Sequence, residues 1–520
     1  MKRILEFPYY GFVLAIHPVL ALFENNETKV PISDALGTML YVEAVLVLVL
    51  GLCWWLTRRL AKAGLLTLLV VIFVLFYQHF FDLLTPFGGR FREHVYFLPL
   101  WLVVAVLAFR VAAASTAKLI TTTLVLNVGA LFFVASPVLQ VAHYQLKVGP
   151  ERGPAIAAIN RPVPELKPGG QKPDIYYLVF DRYARADVLQ QIYGFDNSEF
   201  LTALGDRGFG VIERSAANYQ RTSHSLAASL NMTYLDAIGE SLGERSDDWV
   251  LIYRLLEDYK VWRALKGVGY RFIHFGTWWK PTAANRFADE NVNWKAIPTF
   301  DRFFWAATAP GRLALMAGLS WFDYRSHQCE RLKHKFARLE EVAAAPGPPG
   351  PKFVFAHVLL PHPPFIFDAE GRCLSRAEAE ARSRQQNYIG QLTLTNRLLL
   401  AAIDKILAAD ENAVIVVQAD EGPWPASIAG DEQSIGMDTT PAEWAAMTPA
   451  ETKEKVAILN AIRLPGAEAE LYPVLTPVNT FRIIFNRYFG SDFALLPDES
   501  YLYLANKHLY DFVPVTEVVR

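Results

Sequence analysis

Four short stretches carry side chains whose types and spacing could do chemistry. The run IYYLVF (Ile175–Phe180) ends on Asp181; KFVFAHVLL (Lys352–Leu360) carries His357 and leads through Pro361 to His362; NAVIVVQ (Asn412–Gln418) leads through Ala419 to Asp420 and Glu421. Hard carboxylates converging with imidazole suit a divalent cation. The fourth stretch, YQRTSHSLAASLNM (Tyr219–Met232), is rich in hydroxyls and has a helix start near HSLAASLNM. A hydroxyl at the start of a helix is most often a cap. Placed against a metal with helix-start N–H groups nearby, it would become an alkoxide nucleophile beside a phosphate site.

The elements that must position these groups are strands and helices in α/β order. The three apolar runs are short, β-branched and aromatic, and are bounded by breakers such as Pro173 and PGPPGP, which is how buried strands read. Between the last two lies a helical stretch, roughly Leu374–Ala409, with Leu and Ala at helical spacing. Strand, helix, strand is the βαβ unit of a parallel sheet, and ligands bind in such sheets outside the carboxyl ends of the strands. All three acid or imidazole clusters fall at or just past such ends. The later segments EKVAILNAIRLPG and TPVNTFRIIFNRYFG read as a further strand and an amphipathic helix. GTWWKP (Gly276–Pro281) and Trp294 read as packing aromatics, or as the lining of a headgroup or sugar pocket.

These elements occupy only part of the chain. Its 520 residues are 52% hydrophobic with a formal net charge of −2, too many for one ordinary domain and too apolar for a wholly soluble one, and disorder or a pure nucleic-acid binder is excluded. The apolar residues concentrate in residues 1–142, where Phe7–Phe23, Leu36–Leu56, Leu65–Phe81, Val95–Ala114 and Leu119–Ala142 approach the roughly 20 residues of a bilayer crossing. Lys2, Arg3, Arg58, Arg59, Lys62, Arg110 and Lys118 fall on one side of a five-span arrangement, against Arg90 and Arg92 on the other. The positive-inside rule then puts the N-terminus in the cytoplasm and exports everything after Ala142. The first segment reads as an uncleaved anchor, since no small-residue cleavage site follows it before ENNETK. The expected layout is a membrane domain over 1–142, a Pro/Gly-rich linker over 143–172, and an exported α/β domain over 173–520. Of three cysteines, Cys53 lies in an apolar run, while Cys329 and Cys373 leave a single bridge open.

The four motifs resemble the sulfatase-like branch of the alkaline phosphatase superfamily. Within it they look like the membrane-anchored lipoteichoic acid synthase and lipid A phosphoethanolamine transferases, which also carry five spans and an exported catalytic domain. The resemblance implies a mixed or mostly parallel sheet sandwiched by helices. It makes Asp181 a metal ligand at the end of the first strand and Thr222, followed by Ser225 and a small apolar helix start, the nucleophile, with Ser223 one position away as the alternative. It matches His357 and His362 to an H-x4-H pair that binds substrate or a second metal. Where the family has Asp-His-Gly, this chain has Asp420-Glu421-Gly422, and the ligand His expected about a dozen residues later is missing.

Two consequences of that departure stay open: Glu421 completes an all-oxygen site with Asp181, Thr222 and Asp420, which suits Mn²⁺, Mg²⁺ or Ca²⁺ better than Zn²⁺, or the site is degraded. Thr222 cannot mature to formylglycine and Leu226 stands where sulfatases have Arg, so phosphoryl chemistry through a phospho-enzyme is favoured over sulfate-ester or phosphonate-ester hydrolysis or a pseudoenzyme in envelope assembly. Arg182 and Arg185 read as a solvated helix face or, less readily, as phosphate partners. The implied substrate is a membrane lipid headgroup or an envelope glycan, because tethering raises the local concentration of membrane substrates.

Overall fold

The computed structural model describes residues 6–520 apart from 85, 87, 89–92, 117–118, 161, 163–164, 168–171, 244–245, 295–297, 320–323, 345–349, 430–443 and 506. Lys2, Arg3, Arg90, Arg92 and Lys118, on which part of the orientation argument rests, and the first four residues of the breaker PGPPGP lie outside the described residues. The chain divides into two units: Met1–Pro150 with Ile297–Tyr324, and Glu151–Ala296 with Arg325–Arg520.

The first unit is helical. Ile32–Thr57, His94–Ala114 and the helix that begins at Ile120 are long and apolar enough to cross a membrane. Leu60–Leu75 and Tyr77–Leu84 make a fourth crossing only if counted together across a 58° bend. The first expected span, Tyr10–Glu24, has 15 residues, roughly 22 Å of helix against a hydrocarbon core of about 30 Å. Five full-length spans are therefore not found among the described residues. Leu40 and Leu48 are both 73% exposed on Ile32–Thr57, apolar surface of the kind a membrane-crossing helix turns to lipid.

The segment that returns to this unit from late in the sequence was not foreseen. Asp301, on the helix Thr299–Ala306, accepts hydrogen bonds from Thr38 Oγ1 (2.5 Å) and Tyr41 Oη (2.9 Å), and Trp305 Nε1 donates to Tyr41 Oη (3.0 Å). Phe300 and Phe304 fill the apolar cluster of Val42 and Leu46.

The second unit is built on a seven-stranded mixed sheet. In chain order its strands are β1 (Ile175–Phe180), β2 (Gly210–Val211), β3 (Arg271–Phe275), β4 (Glu290–Val292), β5 (Lys352–Val358), β6 (Val414–Gln418) and β7 (Asn460–Arg463); their spatial order is β2-β7-β6-β1-β5-β3-β4. All pairings are parallel except β6 with β7 and β7 with β2. Continuous apolar runs, rather than alternating ones, follow from helices on both faces. Tyr176, Leu178 and Phe180 of β1 point into one core, and Ile175, Tyr177 and Val179 into the other. The stretch expected to be helical from Leu374 splits into Arg376–Glu380 and Arg384–Ala409, each opened by a capping box, on Ser375 and Ser383.

The segment expected as a linker is helical as far as Asn160. Tertiary contacts override its Pro and Gly. Arg152 makes a two-point ion pair with buried Asp248 (2.5 and 3.0 Å), and Ala155 and Ile159 are buried in the core of the second unit. Cys329 and Cys373 form a disulfide bond.

Candidate metal and nucleophile site

Strand order brings the chemistry together. β6, β1 and β5 are adjacent and parallel, with Val179 level with His357 on one side and Gln418 on the other. Residues of odd number on β1 and β5, and of even number on β6, face the core that contains Leu226, Ala227 and Leu230 of the helix Thr222–Asn231. Continued by one step of two, that alternation carries Asp181 and Asp420 toward the same face as His357. Tyr177 Oη donates to Gln418 Oε1 (2.8 Å) and lies 3.3 Å from Ser229 Oγ, which ties the helix to β1 and β6.

Ligand atoms of Asp181, His357 and Asp420 all lie within 4.8 Å of one another, and all three residues are buried. His357 Nε2 is 3.6 Å from Asp181 Oδ2 and 3.9 Å from Asp420 Oδ2. His357 Nε2 and both carboxylate oxygens of Asp420 are buried without a hydrogen bond of normal geometry. Buried polar atoms are rarely left so, and two acids around an imidazole are a donor set that a divalent cation satisfies. Burial, then the Asp181 carboxylate, push the Asp420 carboxyl above the usual carboxylate range, while the neighbouring Thr222 hydroxyl draws it partly back. Burial holds the His357 imidazole neutral, down to about 4. The residues present fit a cation.

Glu421, one residue on, has other partners. Its carboxylate accepts from Arg182 Nε (3.2 Å), Trp424 Nε1 (3.1 Å) and the backbone N–H of Thr222 (3.0 Å), and pairs with Lys455 Nζ (3.0 Å). Burial would raise its pKa, but Lys455, Arg182 and Arg221 together outweigh burial and hold it below the usual range. In place of the all-oxygen set of Asp181, Thr222, Asp420 and Glu421, the structure groups Asp181 and Asp420 with His357, and gives Glu421 to the start of the Thr222 helix. Gly422 permits this: a Cβ there would lie 2.2 Å from the Glu454 carbonyl oxygen, on the segment that delivers Lys455.

The remaining sequence-singled residues are placed as follows. Thr222 is the first residue of its helix, with Arg221 as N-cap. Ser223 is buried and bonds His224 Nδ1 (3.1 Å), away from the acids' own contacts. His362 Nε2 is 4.0 Å from Asp181 Oδ2 and its Nδ1 bonds the Pro363 carbonyl, so it borders the group without joining it. Neither arginine lies on a solvated face. Arg185 is buried by a two-point bond to Asp187 (2.8 and 3.0 Å) and by the carbonyls of Ser215 and Val519, which commits it to the fold. Arg182, in the left-handed region at φ 64°, reaches Glu421 and lies over Trp424 at 4.6 Å.

Sequence reasoning missed Arg221, Trp424, Lys455 and Thr282. Arg221 lies over Trp424 (4.5 Å) and Trp444 (5.4 Å), and Lys455 over the same two rings (5.6 and 5.9 Å). Lys455 sits in EKVAILNAIRLPG, which reads as a strand, whereas the structure gives its first three residues to the helix Pro449–Val456 and begins the strand at Asn460; only Arg221, adjoining Thr222, carried a local signal.

No protein-family profile matches the chain, and no curated protein matches it. Among solved structures it is similar to the C-terminal periplasmic domain of EcEptC from Escherichia coli, at 12% identity over 66% of this chain and 93% of that one, with a TM-score of 0.40. It is also similar to the soluble domain of lipooligosaccharide phosphoethanolamine transferase A from Neisseria meningitidis (14% identity, 62% of this chain, 91% of that one, TM-score 0.37). The integral membrane form of that transferase aligns with 90% of this chain and 89% of its own length at 14% identity, TM-score 0.35.

Proposed function

We propose that this protein is a membrane-anchored, divalent-cation-dependent phosphoryl or phosphoalcohol transferase or phosphoric ester hydrolase, acting on a lipid headgroup or envelope glycan at the outer surface of the cytoplasmic membrane. The observation that carries it is the convergence of Asp181, His357 and Asp420 within 4.8 Å, with the Thr222 hydroxyl beside Asp420. Asp181, His357 and Asp420 would hold the cation. Replacing one of the expected carboxylates by an imidazole moves the preference from Mg²⁺ and Ca²⁺ toward Mn²⁺ and Zn²⁺. When bound, the cation lowers the pKa of the Thr222 hydroxyl and offsets charge on the phosphoryl oxygens.

The chain's own residues do the rest. Thr222 Oγ1, its proton passed to solvent, attacks phosphorus; the P–O bond to the donor's ester oxygen breaks and that oxygen leaves as an alcohol on taking up a proton. The phosphorylated Thr222, still carrying the donor's second ester group where a phosphoalcohol is transferred, is resolved by water or an acceptor hydroxyl, which restores the Thr222 hydroxyl. Glu421 fixes the reacting end of the helix through the Thr222 N–H. Ser223 and His224, in the first turn, have N–H groups with no acceptor inside the helix, which is what a helix start offers an anion. Arg221, Arg182 and Lys455 supply positive charge behind that helix start.

Intact-protein mass spectrometry tests the assignment. The full-length protein in detergent is incubated with Mn²⁺ and mixed vesicles of phosphatidylethanolamine and phosphatidylglycerol. A covalent phospho-adduct on wild type, absent from Thr222→Ala, is the expected result. An adduct of equal yield on Thr222→Ala removes the threonine from the reaction and moves the search to Ser223.

A further inference from the structure

The loop GTWWKPT after β3 holds His357 with its threonines. Thr282 Oγ1 is 3.0 Å from His357 Nδ1, and Thr277 Oγ1 is 2.8 Å from Thr282 Oγ1. Thr277 Oγ1 in turn donates to the Trp279 carbonyl (3.3 Å) and accepts from the Trp279 N–H (3.0 Å). Thr277, Thr282 and His357 are 1%, 2% and 0% exposed, so water does not complete these bonds. The loop is pinned from several sides: Thr277 N–H donates to the Thr282 carbonyl, Thr282 N–H to the Trp279 carbonyl, and His274 Nε2 to the Thr282 carbonyl, each at 3.0 Å. Gly276 lets it close, since a Cβ there would lie 1.8 Å from the Ala283 carbonyl oxygen.

Proton counting gives this chain a direction. Three links join His357 Nδ1, Thr282, Thr277 and the Trp279 carbonyl, and each link needs one proton. The two hydroxyls bring two. The carbonyl can only accept, so the third must come from Nδ1–H. A neutral imidazole protonated at Nδ1 has its lone pair on Nε2, the nitrogen that faces Asp181 and Asp420 and lacks a hydrogen bond. A lone pair turned on two carboxylates is repulsive unless a cation lies among them. The opposite polarity would leave one link as two lone pairs in contact.

We infer that Thr282, oriented by Thr277, is the positioning residue that fixes His357 in the Nδ1–H tautomer and thereby makes Nε2 a cation ligand. The inference rests on the cation-dependent reading above. Hydrogen bonds from the second nitrogen of a ligating imidazole fix ring and tautomer, and their loss typically costs about 10–100-fold in metal affinity.

The test is calorimetric titration of full-length, chelator-stripped protein in detergent with Mn²⁺ or Zn²⁺ alone, on wild type, Thr282→Val, Thr282→Ser and Thr277→Val. Thr282→Val should bind either cation about 10–100-fold more weakly, Thr282→Ser should keep wild-type affinity because it keeps the hydroxyl, and Thr277→Val should fall between. Wild-type affinity in Thr282→Val overturns the inference and leaves the cation site standing. A folded wild type that takes up neither cation removes the site itself, and with it the functional reading. Should Thr282→Val fail to unfold cooperatively, Thr277→Val carries the test, since it leaves His357's own partner in place; unchanged affinity there overturns the relay.

Discussion

Asp420 and Glu421 are consecutive buried carboxylates with opposite surroundings. Asp420 shares its pocket with a second acid and an imidazole held neutral, and its carboxyl is pushed upward. Glu421 turns into a nest of Lys455, Arg182 and Arg221 stacked among Trp424 and Trp444, and its carboxyl is pushed downward. The difference separates two jobs that residue type alone cannot separate. An acid whose oxygens are left open is poised for a cation, while an acid whose oxygens are filled by N–H donors is a strut, here holding the N-terminus of the helix that carries Thr222.

The largest effect should come from breaking the open side. Asp420→Ala removes two of the unsatisfied oxygens and is expected to abolish cation retention, measured by metal analysis of the purified protein, and to bring phospho-adduct formation to background. Breaking the filled side should cost stability instead. Glu421→Gln leaves buried Arg182 and Lys455 without their counter-charge, and chemical denaturation should show a loss of about 3–5 kcal/mol, with Mn²⁺ affinity kept. Equal loss of cation affinity in both variants would erase the distinction and restore Glu421 as a ligand.

A smaller effect concerns the open pocket without its cation. In chelator, Asp420→Asn removes a like-charge contact with Asp181 and should be more stable than wild type by on the order of 1 kcal/mol; adding Mn²⁺ should stabilise wild type only, read as a thermal shift. The smallest concerns Arg185, which makes a two-point bond to Asp187. Burial would raise the Asp187 carboxyl, but Arg185 and Lys453 outweigh it and hold it below the ordinary value. A depressed carboxyl contributes stability above its unfolded pKa, about 3.9, that is lost as pH falls through the folded value. Asp187→Asn should therefore flatten the acid limb of the stability profile by less than about 1 kcal/mol, since the carboxylate is only half-buried.

Much of this was legible in the chain. β1, β5 and β6 announced themselves as short apolar runs, the helix of Arg384–Ala409 by its spacing, and the apolar N-terminal region by composition. Asp181 and Asp420 could be placed beside each other because each follows a strand, and strand ends of a parallel sheet share one edge. Of the five apolar stretches, three became helices long enough to cross a membrane, while the two that the sequence already shows to be short became the 15-residue helix Tyr10–Glu24 and a helix pair bent by 58°. The segment from His143 read as a linker because Pro and Gly dominate its composition, yet Arg152, Ala155 and Ile159 find buried partners that hold it helical to Asn160.

The sequence by itself determined which groups can do chemistry here and that they sit at strand ends, because apolar periodicity and strand termini are local properties. Only the tertiary structure decided which of them meet. Strand order seated β1 between β5 and β6 and made His357, not Glu421, the third member of the acid group. Lys455 and Arg182, both distant along the chain from Glu421, and Thr282, distant from His357, then set the charge and the hydrogen bonding of that site. Electrostatic and hydrogen-bond partners act through space over a few ångströms, and the distance along the chain carries no record of them.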